Sequence, residues 1–163
     1  MRTHTSLGPN LGHPDSLAAS FTVLQPAELP SAMPLPLFVE RVQAGFPSPA
    51  QDYIEQRLDL NSLVILRPEA TFFLQVRGHS MVDAGILDGD IVVVDRSITA
   101  ASGHIVVAEI DGQFTIKTYW RRGNVVRLVP ANKAFKTIEL QDGETLTIFG
   151  VVTWILHRSA RPR

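Results

Sequence analysis

One stretch of this chain places a small hydroxyl where it could react: Arg77-Gly78-His79-Ser80-Met81-Val82-Asp83. A serine is a poor nucleophile until a base removes its proton. His79 is adjacent to Ser80, and neighbours on extended chain point apart, which places it poorly as the base. His104 begins a different predicted strand and stays open as a base. Lysine is the other solution, in the serine–lysine variant of triad logic. A lysine base must be neutral, and its ordinary pKa of about 10.4 falls only when the ammonium is kept from water. The chain has three lysines: Lys117, Lys133 and Lys136. The last two sit in a polar Asn-Lys-Ala-Phe-Lys connection and are expected to be solvated. Lys117 lies mid-strand between Ile116 and Thr118, where a lysine would lose solvent. The plain alternative is an edge-strand lysine that reaches back to water.

Other chemistries are narrowed by composition. There is no cysteine, so disulfides, thiol nucleophiles and cysteine-ligated zinc are excluded. The five histidines are scattered, with no pair at a helical metal-binding spacing, so no metal or cofactor is expected. Net charge is −1 over 163 residues. Residues 1–44 hold Arg2 and Arg41 against Asp15, Glu28 and Glu40, or 2 − 3 = −1, and the remainder balances at 13 − 13 = 0. Strong direct DNA binding is not expected from such a balance. No apolar run approaches the roughly 20 residues of a membrane span. No secretory signal is seen, which leaves the cytoplasm as the expected location.

The elements that must position Ser80 and Lys117 are mostly strands. From residue 62 onward, Ser-Leu-Val-Ile-Leu, Thr-Phe-Phe-Leu-Gln-Val, Asp-Ile-Val-Val-Val-Asp, His-Ile-Val-Val-Ala-Glu-Ile, Gln-Phe-Thr-Ile-Lys-Thr-Tyr-Trp, Asn-Val-Val-Arg-Leu-Val-Pro and the apolar run ending in Trp-Ile-Leu all read as strands. Asp88-Gly89-Asp90, Asp111-Gly112, Arg122-Gly123-Asn124 and Asp142-Gly143 supply turns, and Asp111-Gly112 is a two-residue hairpin signal. Alternation puts Phe114, Ile116 and Thr118 on one face and Thr115, Lys117 and Tyr119 on the other. The expected fold is mainly β, a compact, strongly bent sheet or partly open barrel. Residues 1–44 differ. Prolines at 9, 14, 26, 30, 34 and 36 deny helix interiors and central strands. That segment reads as an extended arm docking in places through Phe-Thr-Val-Leu and Leu-Pro-Leu-Phe-Val-Glu-Arg-Val, with no room for a helix-turn-helix. Residues 49–60, Pro-Ala-Gln-Asp-Tyr-Ile-Glu-Gln-Arg-Leu-Asp-Leu, read as a short helix.

Taken in order, Ala-Gly-Phe-Pro-Ser-Pro-Ala, Gly-His-Ser-Met-Val-Asp, Asp-Gly-Asp, Phe-Thr-Ile-Lys-Thr-Tyr-Trp and Arg-Leu-Val-Pro-Ala-Asn-Lys-Ala-Phe resemble the LexA/UmuD family of self-cleaving serine–lysine proteins. The likeness runs from about residue 44 to 157. Ser-Met alone is weak; the full set with a separation of 117 − 80 = 37 is strong. The resemblance implies a LexA C-terminal-domain type of fold. It implies Ser80 as nucleophile and Lys117 as general base and later acid. It places the scissile bond at Ala44-Gly45, where UmuD-type chains commonly have cysteine in place of Ala44. The backbone around His79, Ser80 and Met81 would position the attack and hold the oxyanion. Residues 1–44 would be the arm removed and 45–163 the peptidase and dimerisation domain. The implied partners are a second copy, a RecA filament on single-stranded DNA and a UmuC-like Y-family polymerase, in a bacterial DNA-damage response. The rivals are a repressor fragment, a signal-peptidase-like processing enzyme, which should carry a membrane anchor, and an interaction module with a silent dyad.

Overall fold

The computed structural model describes residues 22–24, 32–38, 55–140 and 145–159. They are mainly β. The chain divides into a unit spanning residues 27–66 and a unit made of the flanking segments.

In the larger unit, β1 (Thr22–Leu24), β4 (Thr71–Gln75), β5 (Ile91–Asp95), β6 (Ile105–Ile110), β7 (Gln113–Arg122), β8 (Val125–Val129), β9 (Ile138–Glu139) and β10 (Leu146–Leu156) form one antiparallel sheet. Their order is β1-β4-β5-β10-β6-β7-β8-β9, so the sheet has two ends and stays open. β10 lies between β5 and β6 and shifts register between Ile148 and Gly150 and again between Val152 and Trp154. Such shifts bend a strand and increase its twist.

Strand alternation sorts the apolar residues into two cores. Val107 and Ile116 join Leu74, Met81, Ile86, Val92 and Val94 in one cluster. Val106, Ala108 and Tyr119 join Leu128 and Val151 in the other. Successive residues of β6 thus serve opposite faces, as a pleated strand requires. With both faces covered, the middle of β7 is shielded whichever way a side chain points. Asp111 and Gly112 have φ of 47° and 81° and link β6 to β7 in the predicted two-residue hairpin.

In the smaller unit, β2 (Pro34–Phe38) pairs antiparallel with β3 (Glu55–Asp59), and α1 (Leu60–Val64) follows. Pro34 and Pro36, two apart, leave their missing N–H groups on one side of the strand, so Leu35 and Leu37 can carry the ladder. Two sequence expectations are corrected here. The helix expected over residues 49–60 is a strand at Glu55–Asp59, because pairing with β2 overrides a weak local helical preference; residues 49–54 lie outside the described residues. Ser-Leu-Val-Ile-Leu, expected as a strand, begins inside α1. The cause is local: Asp59 accepts hydrogen bonds from the Ser62 N–H at 3.2 Å and the Ser62 hydroxyl at 2.7 Å, capping a helical turn. Strand β9 was not anticipated from sequence.

Candidate active site

β7 runs between β6 and β8, with Lys117 opposite Val106. It is an interior strand, so the edge-lysine alternative falls. Lys117 is only 7% exposed. Its Nζ lies 3.0 Å from Ser80 Oγ, 2.7 Å from Thr115 Oγ1 and 2.9 Å from the Ile116 carbonyl oxygen. Burial lowers the Lys117 pKa from 10.5 to about 8. Protonated, the ammonium donates to all three oxygens. When it is neutral, its two remaining N–H groups can stay on Thr115 and Ile116, and its lone pair is left for the Ser80 hydroxyl. Sequence alternation placed Thr115 on the face of Lys117, but its hydroxyl as a partner of the amine became visible only in the structure.

Ser80 sits where β4 leaves the sheet. Gly78 has a φ of 98°, a left-handed conformation that turns the chain at low cost only for glycine. The Asp88-Gly89-Asp90 turn grips this exit. The Val76 N–H donates to the Asp90 carbonyl at 2.8 Å, Gly89 N–H returns a bond to the Val76 carbonyl at 2.9 Å, and Gly78 N–H donates to Asp88 Oδ1 at 2.7 Å. Asp90 itself is 3% exposed; its carboxylate accepts from the Leu87 N–H at 2.8 Å and lies 2.7 Å from His157 Nδ1. On the other side, Asn132 Nδ2 donates to the His79 carbonyl at 2.7 Å, while Asn132 Oδ1 accepts from Ala134 N–H at 2.9 Å, which fixes the orientation of the amide. Met81, 3% exposed, anchors the far side of Ser80 in the core. Its carbonyl closes the turn over Val82–Ala84 by accepting from Ala84 N–H. Thus Asp88 and Asn132, not singled out as site residues from sequence, hold the residues flanking Ser80.

The histidines are placed elsewhere. The His79 side chain is exposed, and only its carbonyl is engaged. His104 Nδ1 accepts from the Ala101 N–H at 3.2 Å, at the start of β6, so it does not serve Ser80. Val76, Met81, Ile86 and Ile116 line a small apolar cleft beside Ser80. Ala44 and Gly45 lie outside the described residues. Among the described residues no group of three His, Asp or Glu side chains converges as a metal site, and no helix is long and apolar enough to cross a membrane.

A serine hydroxyl on a buried amine is a pairing that sequence likeness can place in a family. Residues 36–153 match the family described as Peptidase S24-like. The chain belongs to that family. The S24-like peptidases are self-cleaving serine peptidases, so the serine-peptidase class follows. The S24-like chain is also 50% identical to Protein ImpA of Escherichia coli over 129 residues, 78% of this chain and 87% of that protein. It is 44% identical to Protein SamA of Salmonella typhimurium over 137 residues, 84% of this chain and 95% of that protein. With Protein MucA of Escherichia coli it shares 48% over 120 residues, 73% and 82% of the two chains. These relatives are UmuD-family proteins of SOS mutagenesis, and the S24-like chain is of the same kind.

Proposed function

We propose that this chain cuts its own Ala44–Gly45 bond with Ser80 and Lys117. The observation that carries the reading is the 3.0 Å approach of a buried, readily neutralised Lys117 amine to the Ser80 hydroxyl. Neutral Lys117 takes the Ser80 proton as Ser80 Oγ bonds to the Ala44 carbonyl carbon. The carbonyl becomes an oxyanion, for which the Ser80 backbone N–H is the proposed donor. As the oxyanion collapses, the C–N bond to Gly45 breaks and Lys117 passes its proton to the leaving amine. Water, deprotonated by Lys117, then releases Ala44 from the serine ester. The small apolar cleft beside Ser80 suits the methyl side chain of Ala44. Because nucleophile and target belong to the same molecule or dimer, high effective concentration stands in for binding affinity.

The UmuD-type likeness supports the wider setting. In this proposal the protein is a cytoplasmic homodimer of the bacterial DNA-damage response. A RecA filament on single-stranded DNA stimulates cleavage, and residues 45–163 become the accessory subunit of a UmuC-like translesion polymerase. His79 and Met81 act through their backbone and packing, as positioning residues.

Intact-mass spectrometry after incubation near neutral pH and near pH ~10 tests the cleavage. Fragments 1–44 and 45–163, growing with pH and absent in Lys117→Ala, are the expected result. Fragments that persist in Lys117→Ala would remove the lysine from the mechanism. A chain intact at both pH values, with and without RecA filaments, would leave a silent dyad.

A further inference from the structure

The two next-to-last strands of the large sheet, β8 under β9 and β4 under β1, are finished differently. β8 carries a charge in mid-strand, Arg127, whose Nε lies 2.7 Å from Glu139 Oε1 on β9, and Pro130 follows its last residue. Charge and proline are the usual devices that stop a strand edge from pairing with foreign chain. β4 has none. Thr71–Gln75 reads Thr-Phe-Phe-Leu-Gln, without charge or proline, and keeps unbroken register against β5. This is the composition of an interior strand. What makes β4 interior is β1, paired antiparallel as Thr22↔Gln75, Val23↔Leu74 and Leu24↔Phe73. β1 lies on the N-terminal side of the Ala44–Gly45 bond, and the inference therefore rests on the cleavage reading above.

Once that bond is cut, β1 is held, among the described residues, only by its three residue pairs with β4 and, through β2 downstream on the same fragment, by the pairing of β2 with β3 on the other fragment. An isolated two-stranded pair is marginal in water, and losing the covalent link removes a local concentration on the order of millimolar. The strand is then free to leave an edge that has no built-in protection.

We propose that the β4 edge, Thr71–Gln75, is a strand-accepting docking site, covered by β1 in the uncut chain and opened by processing. Its occupant is an extended segment of a partner protein with the chemistry of β1: uncharged, apolar, β-branched at its centre, and antiparallel to β4. Main-chain hydrogen bonds give such a site its affinity, and the alternate side chains give it selectivity. The residue facing Leu74 lies over a side chain only 1% exposed, so a charge there is rejected.

The test uses a labelled peptide of residues 20–26, Ser-Phe-Thr-Val-Leu-Gln-Pro, and amide exchange across Thr71–Gln75. The cut wild-type chain should bind the peptide at least about tenfold more tightly than uncut Ser80→Ala, and its β4 amides should lose protection until peptide is added. A Val23→Lys peptide should bind neither. The chain has no cysteine, so a Thr22→Cys/Gln75→Cys pair can lock β1 in place: the oxidised, cut protein should refuse the peptide and the reduced protein accept it. Equal binding to the uncut chain overturns the proposal, as does no binding to the cut one. Concentration-dependent β4 protection without peptide also overturns it, because a second copy is then the occupant. A Ser80→Ala chain carrying an added protease site between residues 44 and 45 separates the two readings. If wild type stays whole but this chain, once cut, takes the peptide, self-cleavage fails and the docking site stands. If both chains are cut and neither takes it, the docking site fails alone.

Discussion

The loop bearing Ser80 and the β2–β3 pair flanking the proposed target bond are built to opposite standards. The loop is gripped on three sides: by Asp88 and Asp90 at the exit of β4, by Asn132 on the His79 carbonyl, and by Met81 in the core. The β2–β3 pair is a two-stranded ribbon, with Met33 and Leu35 67% and 59% exposed. Two facing strands cannot bury their own apolar side chains. The difference teaches that the groups around Ser80 are preorganised, while the described strands before and after the proposed target bond rest on a single strand pairing.

The sharpest way to break this contrast is to remove the chemistry and leave both regions folded. Ser80→Ala and Lys117→Ala should each lower self-cleavage by about 10²-fold or more, followed by intact mass, with an unchanged circular dichroism spectrum. At the proposed bond, Gly45→Glu should stop cleavage just as fully by crowding the attacked carbonyl. Normal processing of that variant would place the bond elsewhere.

Next comes pH. Only neutral Lys117 can act as base, so the cleavage rate should climb about tenfold per unit below pH ~8 and level off above it. The same burial has a stability consequence of defined sign. Between about 8 and 10.5 the unfolded chain holds a proton on Lys117 that the folded chain has lost, so stability rises with pH across that window. Denaturant titrations of wild type and Lys117→Met across the window measure it: the wild-type rise should be missing in the variant.

Smaller effects sharpen the comparison. Asp88→Ala frees the Gly78 amide and should slow cleavage by roughly tenfold without moving the pH midpoint. Asp88→Asn, whose amide oxygen still accepts that bond, should restore most of the rate. A mere loss of stability would not discriminate between these two variants in that way. Least of all, Asp59→Ala removes the α1 cap and should loosen that turn locally, read as faster amide exchange at Ser62 with little change in cleavage.

Much of the large sheet was legible in sequence because its signals are local. β-branched runs separated by Asp-Gly and Gly-Asn turns announce strands whatever surrounds them. The Asp111-Gly112 hairpin followed from two residues that tolerate positive φ. The misses fall where partners are distant or caps are short. Glu55–Asp59 looks helical until Pro34–Phe38 is laid against it, and Ser62–Leu66 looks extended until the Asp59 side chain is seen to cap the turn. β9 is two residues long and exists only because β8 offers an edge.

The sequence by itself determined the cast: a serine after a tight glycine turn, one lysine in an apolar strand, no cysteine, and a proline-rich arm. These are matters of residue type and spacing, which the chain carries in one dimension. Tertiary structure decided what Lys117 is. The same ammonium on an edge strand would snorkel to water and keep its ordinary pKa. Placed between β6 and β8, it is dry, bonded to Thr115 and Ile116, and 3.0 Å from a hydroxyl 37 residues away. Desolvation is a property of everything packed around a group, so no local stretch of sequence can encode it.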